Sequence, residues 1–426
     1  MAHFHNVRKK LVKRDSLWAW AICLCALINN AVVHGIDGSF GEIIGSIIVD
    51  SGNNAGTVAW IGSVHSSCLW LFASVSTILI QKYGFLSIMI GGVIISCIAY
   101  ICASFTENII LLILTHGVLG GVGSGLLCSP GQIICTYYFE KHRAIATGLA
   151  MSGGGVGIAS VSLLANYLDM RYGARYVFFA FCLLSPLSLL LGAMAIPLEN
   201  EAKNDEKESH NSNKESIEGK SRFLCFVGLV DKFKLLRDSR LALYCLVHIM
   251  FELAYYIPIT FLPEMMHVDH GLPKSVEGII MVIFGISNIF GKLISGVTGK
   301  LFKNNSVFVS AIILFCLAST SIGLAFCSTY EEFIGVTIAY SLCNASIDVY
   351  IIHILTEIYG TKDNFEDAYA LVMLAKMPSP LWGPPIAGAL HDFFGAYYIS
   401  FYATGTFQFI AAVSNLLVFL IQYCRG

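Results

Sequence analysis

Four ionisable side chains stand inside long apolar runs of this 426-residue chain: Glu252, Lys292, Asp348 and Lys376. Counted inward from the polar breaks at 1.5 Å per residue, each lies near the middle of its own run. Their formal charges sum to zero. A charge at the centre of an apolar helix costs about 2.5–3.5 kcal/mol on insertion scales, so such groups face a cavity, pair with one another, or do both. Ammonium and carboxylate groups in a dry cavity can hold a small ion of opposite sign and exchange partners as it arrives. Lys292 stands in the otherwise apolar stretch GISNIFGKLISGVTGKL (285–301) with no acid beside it in sequence. Its partner must therefore come from another helix. Asp348 is the expected one, with Glu252 balancing Lys376. Asn288 precedes Lys292 by one turn and Asn344 precedes Asp348 by one turn, a spacing that puts each pair on one helix face. The expected anion-binding set is thus Lys292, Asn288, Asp348, Asn344, Lys376 and Glu252. Asn288 would donate a hydrogen bond to the ligand, and Lys376 would add a second positive group. A static ion pair that only ties two helices together is the competing role.

The elements that must position these groups are membrane helices. The chain is 56% hydrophobic and 13% charged, with a mean hydropathy of +0.71; soluble domains keep roughly 25% charged residues. The composition therefore predicts an all-α polytopic membrane protein rather than one large soluble core. Twelve apolar runs are long enough to span, near 17–36, 57–80, 85–105, 108–132, 144–168 and 175–197, then 241–264, 276–299, 306–328, 332–358, 367–390 and 397–422. Glycine and proline inside them are tolerated by membrane helices. The basic tail VRKKLVKR, Lys82, Lys141 with Arg143, and Lys300 with Lys303 fall on one side if twelve spans alternate, whereas the breaks at 50–56, 105–108 and 329–332 hold no Lys or Arg. Arg171, Arg175 and Lys274 are exceptions. The bias places both termini in the cytoplasm and leaves the Asn304 sequon unused.

The stretch 199–222 mixes charge with Ser and Asn and has no apolar area to bury, so it reads as a flexible linker. FLCFVGLVDKFKLLRDSR (223–240) after it reads as a short helix lying on the membrane surface. The expected units are a 1–16 tail, a 17–197 six-helix bundle, a 198–240 linker with surface helix, a 241–422 six-helix bundle and a 423–426 cytoplasmic end. LDMRYGARY (168–176) and LHDFFGAYY (390–398) recur at equivalent points of the two halves, as a parallel repeat would give.

At this point the motifs resemble a known family. DSLWAW (15–20), with Asp15, Trp18 and Trp20, is similar to the monocarboxylate transporter family's D-G-G-W-G-W at the start of helix one. YFEKHRAIATGLAMSGGGVG (138–157) is similar to that family's Y-F-x-K-R-R-x-L-A-x-G-L-A-x-A-G-x-x-x-G at the head of helix five, with His142 and Ser152 as departures. YIPITFLP (256–263), GISNIFGK (285–292) and GPPIAGALHD (383–392) resemble the signatures of helices seven, eight and eleven. The resemblance covers nearly the whole chain outside the linker. It implies a major facilitator fold of twelve helices in a 6+6 arrangement, working by alternating access. In proton-coupled members helix eight carries Asp and Arg at i, i+4, where this chain has Asn288 and Lys292, and helix one carries a lysine near the place of Gly38. Lysine keeps the charge of arginine but loses its bidentate fork.

Lys141 and Arg143 head helix five, and Gly148, Gly153 and Gly157 strip side chains from it. The small-x-x-x-small spacing of Gly153 and Gly157 predicts close approach to a partner helix, as a sliding contact between bundles or as static packing. Glu42, in DGSFGE (37–42), reads as a solvated helix end or the lip of an outer vestibule. His65, His116, His248 and His353 read as packed polar residues before proton relays. Tyr397, Tyr398 and Tyr402 read as interfacial anchors.

The expected function is a secondary transporter of a small organic anion, a monocarboxylate or related carboxylate metabolite, with symport of protons as one mode. A facilitator for amino acids, aromatic acids or hormone-like ligands is the alternative, and a non-transporting membrane sensor the third. No P-loop, H-E-x-x-H or G-x-S-x-G occurs, so no enzyme is expected. The 14 cysteines are scattered singly without a C-x-x-C pair and act as small hydrophobes. Nothing calls for a cofactor or metal, and no basic stripe would track nucleic acid. The partners are then the carboxylate, protons, the lipid bilayer (a plasma membrane in this reading) and, as a candidate, a single-span accessory protein.

Overall fold

The computed structural model describes residues 14–52, 55–195, 233–266, 270–271, 274–360, 364–394 and 397–425. Among these every regular element is helical. The spans are α1 (Leu17–Gly38), α2 (Ala55–Tyr83), α3 (Phe85–Ser104), α4 (Ile109–Tyr138), α5 (Arg143–Tyr172) and α6 (Ala174–Ala195). The second half holds α7 (Ser239–Glu264), α8 (Lys274–Leu301), α9 (Ser306–Leu324), α10 (Tyr330–Tyr359), α11a (Phe365–Lys376), α11b (Ser379–Phe394) and α12 (Tyr398–Arg425).

Among the described residues, eleven helices are long and apolar enough to cross a bilayer. The twelfth expected run, 367–390, is two half-helices instead. Pro378 offers no N–H to the carbonyl one turn before it, so the helix stops at Lys376 and restarts at Ser379, with Met377 keeping helical angles (φ −55°, ψ −44°) between them. The break leaves carbonyls of α11a without helical partners, and a cation in that last turn is favoured by the helix dipole. Lys376 sits there. A second irregularity is the π-helical stretch Ile113–Gly120 within α4, with His116 at its centre.

Local sequence explains the helix ends. The Ser16 hydroxyl accepts from the Ala19 N–H at 3.3 Å to cap α1. Thr329 and Glu332 form a reciprocal capping box on α10. Gly84 (φ 81°) alone joins α2 to α3, and Gly173 (φ 88°) alone joins α5 to α6. Left-handed backbone at a one-residue link is where glycine is needed. The recurring stretches 168–176 and 390–398 fall at the α5–α6 and α11–α12 junctions, with 395–396 outside the described residues. Most of the 198–240 linker, and all but the end of its expected surface helix, also lies outside them. Its described end, Phe233–Arg237, is a short 3-10 turn.

Each long helix turns one face outward. On α8 the exposed stripe is Ile286, Phe290, Ile294, Val297 and Leu301, while Asn288, Lys292 and Ser295 are buried opposite it. An all-apolar outer stripe suits hydrocarbon, so the polar residues are left for the interior. Lys292 therefore faces the protein.

Candidate functional site

The four mid-depth charges lie in one region, where the first half (α1–α6) meets the second (α7–α12). Lys376 is the hub. Its Nζ lies 2.6 Å from Glu252 Oε1 of α7 and 3.1 Å from Asp348 Oδ1 of α10. It also stands 4.3 Å from the ring centroid of Trp70 on α2, a cation–π contact across the two halves. The Lys376 and Glu252 side chains are 1% and 2% exposed, against 24% for Asp348. One ammonium between two carboxylates gives this cluster a formal charge of −1.

Lys292 is 6% exposed, and among the described residues it has no ion pair or hydrogen bond. The expected Lys292–Asp348 pair is replaced by Lys376–Asp348. The physical reason is the break in α11, which carries Lys376 to the point where α7 and α10 converge, while α8 aims Lys292 at the opposite wall. There a Cβ built on Gly154 of α5 would meet Lys292 Nζ at 2.8 Å and the His34 ring of α1 at 3.4 Å. A lone +1 thus faces the first half, and a −1 cluster lies beside it.

Asn288 and Asn344 are buried with Lys292 and the acidic cluster. Asn288 Oδ1 and both amide atoms of Asn344 have no hydrogen-bond partner among the described residues. A buried polar group left so costs about 1–3 kcal/mol unless water or a ligand meets it.

Uncharged polar residues that the sequence did not single out complete the seam. Tyr369 of α11a donates to Gln132 Oε1 of α4. The Gln132 amide nitrogen lies 3.3 Å from His34 Nε2. Trp70 Nε1 donates to the Tyr256 hydroxyl of α7 at 3.2 Å. A polar residue within a span was the available signal, and only Gln132 and His34 carried it; tryptophan and tyrosine are too common in membrane helices to stand out.

The family-like stretches at 15–20 and 138–157 meet each other. Asp15 accepts from the backbone N–H groups of Lys141 at 3.1 Å and His142 at 3.0 Å. Trp20 packs edge-on against Phe139 at 4.9 Å, Trp18 is half-buried beside them, and Arg14 pairs with Glu140 at 3.2 Å. Burial works against ionisation of Asp15, but the N–H groups of Lys141, His142 and Glu140 outweigh it and hold the carboxyl below its ordinary value. Lys141 is exposed and Arg143 half-buried at the head of α5.

The glycines of α5 divide by face. Gly153 and Gly157 leave room for the Leu27 and Ala31 carbonyls of α1, within the same half. Gly148 instead meets the Lys292 carbonyl oxygen at 2.7 Å and Gly296 Cα at 2.8 Å, measured from a built Cβ, and Gly155 meets the Gly285 carbonyl oxygen at 3.0 Å. The small-x-x-x-small pair is thus packing within a bundle, and the contact between bundles uses Gly148, Gly154 and Gly155. Two further bridges join the halves at the same end: Tyr137 donates to Glu366 at 2.6 Å, and Gln81 to Asp367 at 3.4 Å.

His65 and His116 stack at 4.7 Å within the first half, and His248 and His353 each lie edge-on against a tyrosine. Glu42 is half-buried and accepts from Asn166 at 3.0 Å. All thirteen described cysteines are free.

Comparison with known proteins agrees with this architecture. A family model described as Major Facilitator Superfamily matches residues 23–273 and 244–423. Monocarboxylate transporter 10 of Rattus norvegicus is 24% identical over 409 residues, covering 94% of this chain and 78% of that protein. Monocarboxylate transporter 4 of Gallus gallus is 25% identical over 396 residues, covering 92% and 80%. Among solved structures the proton:xylose symporter XylE superposes with a TM-score of 0.68 at 15% identity, covering 94% of this chain and 95% of its own. The Escherichia coli fucose:proton symporter FucP gives 0.66 at 11% identity, covering 95% and 99%. The relatives and fold neighbours are transporters, not enzymes. The chain belongs to the Major Facilitator Superfamily: it is a multi-pass membrane transporter, similar over most of its length to monocarboxylate transporters.

Proposed function

We propose that the protein moves a small organic carboxylate, together with a proton, across the membrane by alternating access, and that Lys292 is the group that holds the carboxylate. One observation carries the reading: a buried ammonium with no ion-pair contact among the described residues, aimed from the second half at the glycine-lined wall of the first. An isolated charge in a dry core is costly, and an incoming carboxylate removes that cost. Because the anion would touch Lys292 of α8 and the Gly154–His34 wall at once, its binding favours the state in which the halves meet, which couples occupancy to rearrangement. Asn288 would donate its amide to the same carboxylate. Lys376 is held by two acids and a tryptophan, so it positions the site and is not a second anion handle. In this reading the 1–16 tail, the 198–240 linker and the C-terminal residues face the cytoplasm of a plasma membrane, and residues 17–197 and 241–422 are the rocking bundles.

The test is exchange of labelled carboxylates by purified protein in vesicles. Wild type exchanges label, Lys292→Ala does not, and Lys292→Arg retains exchange with an altered preference among carboxylates, since its planar fork grips them differently. Normal exchange by Lys292→Ala would show that the anion binds elsewhere. Binding without movement of label in wild type would indicate a sensor.

A further inference from the structure

We propose that Glu252 is the residue that carries the proton, taking it up on Oε2 when the anion occupies Lys292; this rests on Lys292 being the anion site. In the empty state the four mid-depth charges sum to zero, with Lys292 at +1 and Glu252–Lys376–Asp348 at −1. A carboxylate that neutralises Lys292 leaves the −1 cluster with nothing to balance it in a dry interior, where an uncompensated charge is strongly unfavourable. One proton from water restores neutrality.

Geometry selects where it goes. Lys376 is already an ammonium, and Asn288 and Asn344 do not titrate. Asp348 is the hydrated acid, with its side chain 24% exposed, so water supports its charge. Glu252 is the dry one: Lys376 serves Oε1, while Oε2 is buried with no partner among the described residues. Protonation at Oε2 removes a charge from the oxygen least able to carry it and leaves both Lys376 contacts in place. No other bond changes; the proton returns to water when the anion leaves.

The groups facing Glu252 are accounted for element by element. Lys376 comes from α11a and Asp348 from α10, with Asp37 of α1 acting at longer range. His248 precedes Glu252 by one turn on α7 itself, Lys292 stands on α8, α11b carries His391 and Asp392 near its Phe394 end, and α12 has no Asp, Glu, His or Lys along Tyr398–Arg425. Asp37 is itself tied to the Ser66 hydroxyl at 2.6 Å.

Infrared difference spectroscopy of the purified full-length protein reads the carboxyl directly. Lys292→Met removes the lone cation without any ligand, so it should acquire a carboxylic-acid carbonyl band at neutral pH. The Lys292→Met/Glu252→Gln variant should lack that band. Pyruvate or benzoate added to wild type should raise the same band, an arm that needs no variant to fold. In vesicles Glu252→Gln should lose the acceleration of carboxylate exchange by an acid exterior. No band in Lys292→Met, or a band that survives Glu252→Gln, overturns the assignment, the latter placing the proton on Asp348. So does a carboxyl band raised by phenylalanine, since a zwitterion brings its own positive charge and calls for no proton. If Lys292→Met shows the band while no probe anion raises it in wild type, Glu252 stands as the proton site and the Lys292 anion site fails.

Discussion

Gly148→Ala adds one methyl group to α5 at the seam between the halves. The new Cβ would stand 2.7 Å from the Lys292 carbonyl oxygen and 2.8 Å from Gly296 Cα. Both are backbone atoms of α8, which cannot swing aside as a side chain can. Reaching the 3.4 Å at which ordinary contact begins requires α5 and α8 to part by about 0.7 Å. Forcing an extra carbon into packed backbone costs about 1–3 kcal/mol. Alanine is also the better helix former by about 1 kcal/mol, but α5 is helical whether or not the halves touch, so that gain cancels between the two states. What remains is a penalty on the closed seam alone, enough to shift its population about 5–150-fold against the state with α5 and α8 apart. Labels incorporated at the exposed Lys82 and Lys303, one on each half, report that separation by pulsed EPR. Gly148→Ala should enrich the longer distance without lowering the melting temperature in proportion. Gly153→Ala is the control: its methyl meets the Leu27 backbone of α1 in the same half, so it should lower thermal stability and leave the distance distribution unchanged. A Gly148→Ala protein with wild-type distances would refute the argument that this contact belongs to one state of the cycle.

Asp15→Asn should destabilise the junction of α1 with the α4–α5 loop, because the charge that orders the Glu140, Lys141 and His142 N–H groups is lost. The folded carboxyl is held below its ordinary 3.8, so the stability it contributes is present above that value and disappears as pH falls through the lower folded one. Melting curves should therefore separate wild type from Asp15→Asn at about pH 7 and converge in acid; a constant gap would mean that the charge is not what matters. For topology, an impermeant thiol reagent outside intact cells should not label Ser212→Cys above the wild-type background, and strong labelling would put the linker outside.

Sequence alone determined the class of molecule and the ingredients of its site. Apolar runs of spanning length give all-helical structure wherever they occur, because in hydrocarbon the backbone must bond to itself. The rarity of charge within those runs made Glu252, Lys292, Asp348 and Lys376 legible, since each one costs free energy and is kept for a reason. Tertiary structure decided who meets whom. Lys292 and Asp348 are both available to pair on paper, yet the proline break after Lys376 brings that lysine between Glu252 and Asp348 and leaves Lys292 alone. Gly153 and Gly157 have the spacing of a helix contact, but spacing names no partner, and the choice of α1 rather than α8 depends on how six helices share one bundle. Trp70, Gln132, Tyr256 and Tyr369 belong to the seam only because helices from opposite halves of the chain lie side by side there. Periodicity and composition are local properties of a segment, whereas a binding site is a set of distances between segments, and those distances exist only once the helices have packed.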